Sequence, residues 1–204
     1  MYGNILETVG LPPIVTLSGT AGAGKSTVAM TLEDQFGYAR LKFAEPLKEM
    51  AQTLLFYLGI DDDRQWEMTE GSLKETPIPG LGDVTPRHLM VTLGTEWGRN
   101  CVSEDLWCDI AARRACEYIQ TSDVVLFDDV RFPNEIEALR RTGYPVTTLR
   151  VVRTATGDIM ATHPSETSLN DFEFDHVLTN DGTQGDLAQK VRELFRGLRR
   201  KKAH

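Results

Sequence analysis

The residues best suited to chemistry form a glycine-rich segment near the start of the chain. Gly19, Gly22 and Gly24 precede Lys25 and Ser26 in the spacing G-x-x-x-x-G-K-S. Such a loop can turn several backbone N–H groups toward a phosphate, while the lysine reaches the β- and γ-phosphates and the serine hydroxyl binds Mg²⁺. The pattern is specific when a strand precedes it and a helix follows. It therefore predicts a nucleoside triphosphate site, and the alternative is an ordinary glycine-rich turn.

The segments on either side of the loop supply that context. Ile14–Leu17 is a short β-branched run that predicts a buried strand, and Lys25–Phe36 has the apolar spacing of a helix that Gly37 ends. A helix that begins at the loop adds the partial positive charge of its N-terminus beside the phosphates. The strand and the helix would thus hold the loop at one edge of a sheet.

A second group of candidate residues follows another predicted strand, Val124–Phe127. Ligands of open parallel α/β sheets bind at the carboxyl ends of the strands. Asp129 is predicted to serve a metal ion there, and Arg131 to grip the phosphate of a second substrate with its planar guanidinium, with Glu135 as a further candidate. The alternative is a surface ion pair between Asp128 and Arg131, with Glu135 only favouring the N-terminus of its helix.

Strand and helix signals alternate along the rest of the chain. Further strands are predicted at Tyr38–Phe43, Pro145–Val152 and His176–Leu178, and further helices from Glu45, from Pro86, over 103–119, after an Asn134 cap and over Asp186–Leu198. This alternation predicts a three-layer α/β fold in which helices cover both faces of a parallel sheet. Residues 60–84 and 153–174 are expected to be irregular, and Asp61–Asp63 to form a solvated acidic turn. An irregular segment as long as 60–84 is more often functional than not.

Composition narrows the class of protein further. The 204 residues carry a formal net charge of −8, which fits one globular domain and disfavours a general nucleic-acid binder. No apolar run is long enough to span a membrane, and the first residues do not resemble a secretory signal. Three cysteines without C-x-x-C spacing suggest neither a disulfide framework nor a zinc site. We expect a cytoplasmic protein without nucleic-acid or membrane partners, and the sequence is compatible with a homodimer.

Four motifs together resemble the phage deoxynucleoside monophosphate kinases. They are F-A-E-P-L-K at 43–48, L-G-T-E-W-G-R at 93–99, D-V-R-F-P-N-E at 129–135 and N-D-G at 180–182. The resemblance extends over about residues 14–195. It implies the P-loop nucleoside monophosphate kinase fold, with five parallel strands in the order 2-3-1-4-5. It also implies transfer of the ATP γ-phosphate to a deoxynucleoside monophosphate in the presence of Mg²⁺.

Transferred position by position, the resemblance implies roles for individual residues. It assigns the donor nucleotide to Gly19, Gly22, Ala23, Gly24, Lys25, Ser26, Thr27, Asn180 and Gly182. It assigns the acceptor to Phe43, Lys48, Arg99, Arg131 and Arg153, catalysis to Lys25, Asp129, Arg131 and Glu135, and the metal to Ser26 and Asp129. Phe43 could equally be a core residue, and some family members have Asp in place of Ser26. The implied organisation is a single kinase domain over 1–204, with an acceptor-binding insertion at about 44–100 and a lid-like segment at about 153–174 that includes His163, Ser165 and Glu166.

Two other functions fit the same loop. One is a P-loop kinase for another small metabolite such as dephospho-coenzyme A, and the other is a nucleotide-hydrolysing switch without an acceptor. The long segment 60–84 and Arg131 are useful only to an enzyme with a second substrate. The discriminating observation is whether ATP turnover waits for an added monophosphate.

Overall fold

The computed structural model describes residues 10–121, 124–153 and 168–201. Its strands are β1 (Ile14–Ser18), β2 (Tyr38–Leu41), β3 (Val124–Phe127), β4 (Val146–Arg153) and β5 (His176–Asn180). Its α-helices are α1 (Lys25–Phe36), α2 (Glu45–Tyr57), α3 (Asp62–Thr69), α4 (Pro86–Val91), α5 (Leu106–Gln120), α6 (Pro133–Arg141) and α7 (Gln184–Lys201). The chain divides into two compact units, Ala44–Trp107 and the remainder.

The larger unit contains a sheet of five parallel strands in the order β2-β3-β1-β4-β5. Both the parallel sheet and the strand order confirm the expectation. Because β1 lies at the centre of the sheet, the loop that follows it is flanked by the ends of β3 and β4. Parallel strands place all their carboxyl ends at one edge, so the glycine loop and the residues after β3 meet there.

Two apolar cores, one on each face of the sheet, explain why these segments fold as they do. Side chains alternate between faces along a strand, so Val15 and Leu17 of β1 pack with α1 and α7, whereas Ile14 packs with α5 and α6. Both cores consist mainly of apolar side chains, as a sheet covered by helices on both faces requires, and the central strands also bury Thr16 and Thr148. In the described ranges, no helix combines the length and the apolar character needed to cross a membrane.

The smaller unit, Ala44–Trp107, contains α2, α3 and α4 around its own core of Leu55, Ile60, Met68 and Ile78. A 3₁₀ helix (Leu73–Glu75) and a π-helix (Thr92–Val102) complete it. The latter includes the L-G-T-E-W-G-R motif. Trp107 donates a hydrogen bond of 2.8 Å from Nε1 to the carbonyl oxygen of Gly94 and so holds that irregular helix near its N-terminal end.

The expectation that residues 60–84 are irregular is wrong in part, because α3 lies within them. Asp61 is the N-cap of α3, and its Oδ1 accepts the backbone N–H of Arg64 at 3.0 Å. Asp62 and Asp63 occupy the first turn, where carboxylates interact favourably with the helix dipole. The acidic run is therefore a helix start. Its helix has no apolar periodicity to predict it, since two of its three buried residues are polar.

Candidate active site

The glycine loop joins β1 to α1 and folds around its own lysine. Gly22 has a φ of 75° and Gly24, the N-cap of α1, a φ of 112°, both in the left-handed region that favours glycine. The Nζ atom of Lys25 donates hydrogen bonds to the carbonyl oxygens of Gly19 at 2.5 Å and Thr20 at 2.9 Å. The predicted sequence of strand, glycine loop and helix is thus present, with the lysine held over the loop.

The loop lies so close to β4 and β5 that glycine is required for space as well as for conformation. A Cβ atom on Gly19 would collide with the carbonyl oxygen of Val151, and one on Gly24 would come within 2.8 Å of Nδ2 of Asn180. That Nδ2 atom donates to the carbonyl oxygen of Ala23 at 2.9 Å. Asn180 therefore anchors the loop to the end of β5.

Gly19→Ala and Gly22→Ala should separate the two reasons for glycine in the loop, which are the left-handed backbone conformation and the lack of space for a side chain. Gly22 faces open space, so its alanine variant meets only the left-handed backbone cost of about 1–2 kcal/mol. Gly19→Ala must also displace the β4 backbone, and we expect it to lower the free energy of unfolding by about 2–4 kcal/mol. Urea unfolding of both variants measures the difference. A Gly19→Ala protein as stable as Gly22→Ala would contradict the close approach described above.

A cavity of about 170 Å³ opens beside the first half of the loop. Its wall comes from the loop, from the segment after β3, and from β4 with the residues near 170. The lining residues are Ser18, Gly19, Thr20, Ala21, Lys25, Asp128, Asp129, Val130, Arg131, Arg150, Leu169 and Asn170. The cavity brings together Lys25, Asp129 and Arg131, three of the residues that the sequence nominates for catalysis.

The two aspartates after β3 are held by different partners. Asp128 forms an ion pair with Arg40 of β2, and this hydrogen bond raises the pKa of Arg40 above its usual value. Its other oxygen, Oδ1, is buried and has no hydrogen-bond partner among the described residues. Asp129 accepts the backbone N–H of Phe43 at 3.0 Å through Oδ1. The alternative ion pair between Asp128 and Arg131 is not formed.

Glu135 fixes the backbone on which Arg131 is mounted. Its side chain is only 4% exposed, and its Oε2 atom accepts the N–H groups of Arg131 at 2.7 Å and Phe132 at 3.1 Å. The N-cap of α6 is Phe132, so the expectation of an Asn134 cap is wrong. Proline at the first helical position starts the helix two residues earlier than an Asn134 cap would, and the glutamate three residues after the cap accepts the unpaired N–H groups.

The Arg131 side chain itself is exposed and lines the cavity. Within the described ranges, its guanidinium forms no hydrogen bond or ion pair. The carboxylates of the same segment are thus used to hold the protein together, whereas the arginine is presented to the cavity. This arrangement suits a guanidinium whose partner is a bound anion.

The cavity includes Arg150 and Asn170, which the sequence interpretation did not nominate. Arg150 lies opposite Ser18 in the register between β1 and β4. Its neighbours Leu149 and Val151 pack in the α1–α7 core, so period-two alternation directs Arg150 to the other face of the sheet. That alternation was the signal that could have found it.

The remaining predicted site residues of the larger unit lie on the loop, at strand ends or in the core. Ser26 is exposed and Thr27 partly buried in the first turn of α1, and Gly182 lies between β5 and α7. Arg153, at the end of β4, donates from Nη1 to the carbonyl oxygen of Gly22 at 3.3 Å. Phe43 is a core residue, 4% exposed with its ring centroid 4.8 Å from that of Phe127. The role of Phe43 is therefore explained by packing in the core, and no contact with a ligand is needed to explain it.

Two predicted acceptor residues belong to the unit Ala44–Trp107. Lys48 contacts both carboxylate oxygens of Glu70 at 2.8 Å, and Arg99 lies on the π-helix. Of the lid-like segment, residues 154–167 lie outside the described residues, and with them His163, Ser165 and Glu166.

Comparisons with known proteins agree with one another on the family. A family model described as deoxynucleotide monophosphate kinase matches residues 82–191. A deoxynucleoside-5′-monophosphate kinase of Escherichia phage T5 is 27% identical, with 82% of this chain and 89% of that protein covered. A deoxynucleotide monophosphate kinase of Escherichia phage RB69 is 32% identical over 111 residues, which are 54% of this chain and 44% of that protein.

Among solved structures, the crystal structure of TT1252 from Thermus thermophilus is similar to this chain. The TM-score is 0.50, with 20% sequence identity and with 92% of this chain and 98% of that chain covered. At this identity the similarity concerns the fold alone.

Proposed function

Since this chain belongs to the deoxynucleotide monophosphate kinase family, we propose that it transfers the γ-phosphoryl group of ATP to a deoxynucleoside monophosphate. The observation that supports this most directly is that Lys25, Asp129 and Arg131 line one and the same cavity. A glycine loop with its lysine suits a triphosphate donor, and a guanidinium without a protein partner suits the phosphate of an acceptor. A hydrolysing switch has no acceptor phosphate to bind, and an arginine there would act on the transferring phosphoryl group instead.

The donor side of the proposal uses the glycine loop. Its backbone N–H groups and the N-terminus of α1 would bind the β- and γ-phosphates, and Lys25 would exchange its carbonyl contacts for phosphate oxygens. Asn180 and Gly182, at the end of β5, would lie beside the base of ATP. Arg153 contacts the loop at Gly22, which suits a role in binding substrate phosphates.

The residues present also fit a magnesium ion. The Ser26 hydroxyl and the carboxylates of Asp128 and Asp129 are oxygen donors, and Oδ1 of Asp128 is buried without a partner among the described residues. No group of three metal-binding side chains occurs in the described ranges. Mg²⁺ usually takes several of its ligands from water and substrate phosphates. When bound, the ion would neutralise charge on the phosphates.

On the acceptor side, Arg131 would bind the monophosphate while Glu135 keeps its backbone in place. Lys48 and Arg99 belong to the unit Ala44–Trp107, which we propose as the acceptor-binding insertion. Of the lid-like segment 153–174, Leu169, Phe172 and Phe174 pack in the core with Ile14, so these residues are not part of a mobile lid. Excluding water matters here, because hydrolysis of ATP competes with transfer to the acceptor. The positions of Arg131 and Lys25 in one cavity support direct transfer between the two substrates.

A coupled assay of ATP consumption against a panel of acceptors tests this function. The panel contains each deoxynucleoside monophosphate, the matching ribonucleotide and dephospho-coenzyme A. We expect at least one deoxynucleotide to stimulate turnover, with a higher kcat/KM than its ribonucleotide, since the ratio of kcat/KM values measures discrimination. A clear preference for dephospho-coenzyme A would be consistent with the proposed donor site but would exclude a deoxynucleoside monophosphate as the acceptor. ATP consumption that no acceptor stimulates would favour the switch.

A further inference from the structure

Arg150 brings a second guanidinium to the cavity from the side opposite Arg131. Arg131 follows β3 and Arg150 belongs to β4, and these strands flank β1 on its two sides. Arg150 lies beside Ser18, the residue from which the glycine loop departs. The two arginines therefore approach the loop from its two neighbours in the sheet.

Three hydrogen bonds and one aromatic ring orient the Arg150 guanidinium. Nη1 donates to the carbonyl oxygens of Leu169 at 3.2 Å and Asn170 at 3.3 Å, and Nη2 donates to Oδ1 of Asn170 at 3.0 Å. Its Cζ atom lies 5.6 Å from the ring centroid of Phe174, a cation–π distance. A long side chain that is held at both its edge and its face is already ordered before any ligand arrives.

The acceptors of these hydrogen bonds are all neutral. Among the described residues, no carboxylate pairs with Arg150, and the same is true of Arg131. In contrast, Asp128 is paired with Arg40, and Asp129 and Glu135 bind backbone N–H groups. The cavity thus contains two guanidinium groups without an ion-pair partner among the described residues, and that of Arg150 is oriented by hydrogen bonds. Phosphate is the anion whose geometry matches such guanidinium groups.

We propose that Arg150 is a second phosphate-binding residue, which contacts the acceptor phosphate together with Arg131 and is oriented by Asn170. The identity of the ligand in this assignment rests on the proposed function. The cavity geometry that supports the assignment is independent of that function. In this assignment, Leu169 and Asn170 position Arg150, because their oxygen atoms accept hydrogen bonds from its guanidinium.

The chain provides a matched control for this assignment in Arg140. Its Cζ atom lies 5.6 Å from the ring centroid of Phe172, which packs against Phe174 with ring centroids 4.9 Å apart. Arg140 also pairs with Glu137 on α6, and it does not line the cavity. Arg140→Met therefore removes an arginine from the same aromatic pair without removing charge from the cavity.

Steady-state kinetics of Arg150→Met and Arg140→Met separate a phosphate contact from a structural role. We expect Arg150→Met to raise the KM for the deoxynucleoside monophosphate by about 10- to 100-fold, the loss typical of a hydrogen bond to a charged group. The KM for ATP should change less than about threefold, and Arg140→Met should leave both values unchanged. Asn170→Ala, which keeps the guanidinium and frees its orientation, should give an intermediate rise in the acceptor KM. The assignment would be overturned if the two methionine variants changed the KM values equally, or if Arg150→Met raised only the KM for ATP.

Binding of inorganic phosphate to enzyme saturated with a non-hydrolysable ATP analogue, measured by calorimetry, tests the same residue without catalysis, because the analogue fills the glycine loop. We expect about tenfold weaker binding by Arg150→Met than by wild type, and wild-type binding by Arg140→Met. Unchanged binding by Arg150→Met would exclude a phosphate contact. If no monophosphate stimulates the wild-type enzyme, the proposed function fails, and this titration still decides whether Arg150 binds phosphate. Circular dichroism of each variant verifies that the fold is retained.

Discussion

Lys25→Ala should reduce turnover by at least ~10³-fold, because its ammonium group neutralises charge on the phosphoryl group as that group is transferred. The side chain is partly exposed, and its Nζ atom donates hydrogen bonds to the carbonyl oxygens of Gly19 and Thr20 in the loop that precedes it. The loss should therefore appear in kcat, with little change in thermal stability. Initial rates at saturating ATP and acceptor measure it.

Lys25→Arg is the informative companion to the alanine variant. It keeps the positive charge, but the guanidinium is larger and the two carbonyl oxygens lie within 2.5 and 2.9 Å of the ammonium that it replaces. We expect activity well below wild type, with a normal unfolding temperature. If Lys25→Ala kept near-normal turnover, the glycine loop would have no part in the mechanism.

Arg131→Lys should raise the KM for the monophosphate by about 10- to 100-fold, although it preserves the charge. A lysine ammonium is a point charge and cannot reproduce the two parallel hydrogen bonds that a guanidinium makes to a phosphate. The backbone of residue 131 stays in place through Glu135, so the fold should not change. Titration of the acceptor at fixed ATP, and of ATP at fixed acceptor, separates the two KM values.

Arg113→Lys is the control for that substitution. Arg113 is highly exposed on α5 and pairs with Glu117 one turn further along the helix, so exchanging its guanidinium should alter neither KM. For Arg131→Lys, equal losses for ATP and for the monophosphate would indicate that Arg131 supports the structure and does not bind the acceptor.

The parts of the fold that could be predicted from the sequence are those in which the local residue pattern favours the same structure as the packing of distant residues. The glycine loop is an example, because its spacing, the β-branched run before it and the helix after it all follow from neighbouring residues. Helix α1 begins at Lys25 and ends at Phe36 as expected, with Gly37 as its left-handed terminus. The strand order was implied by the family resemblance, since local periodicity contains no information on which strands are neighbours.

What the sequence did not predict depends on contacts between distant residues. Helix α3 buries Gln65 and Thr69, whose hydrogen bonds replace the apolar periodicity that identifies most helices. The partner of Asp128 is Arg40, which is 88 positions away. Nothing near Asp128 in the sequence indicates that choice over Arg131. Arg150 was overlooked because a cation within a strand suggests an exposed face. Alternation along β4 indicates which face of the sheet it occupies, and the register with β1 places it beside the glycine loop.

The most direct test of phosphoryl transfer is to follow the fate of the γ-phosphate itself. The enzyme is incubated with γ-labelled ATP, Mg²⁺ and each deoxynucleoside monophosphate, and the products are separated by chromatography. If Lys25 and Arg131 bind donor and acceptor in one cavity, the label will appear in a deoxynucleoside diphosphate, in amounts equal to the ADP formed. Label found only in inorganic phosphate, whichever monophosphate is present, would contradict the account.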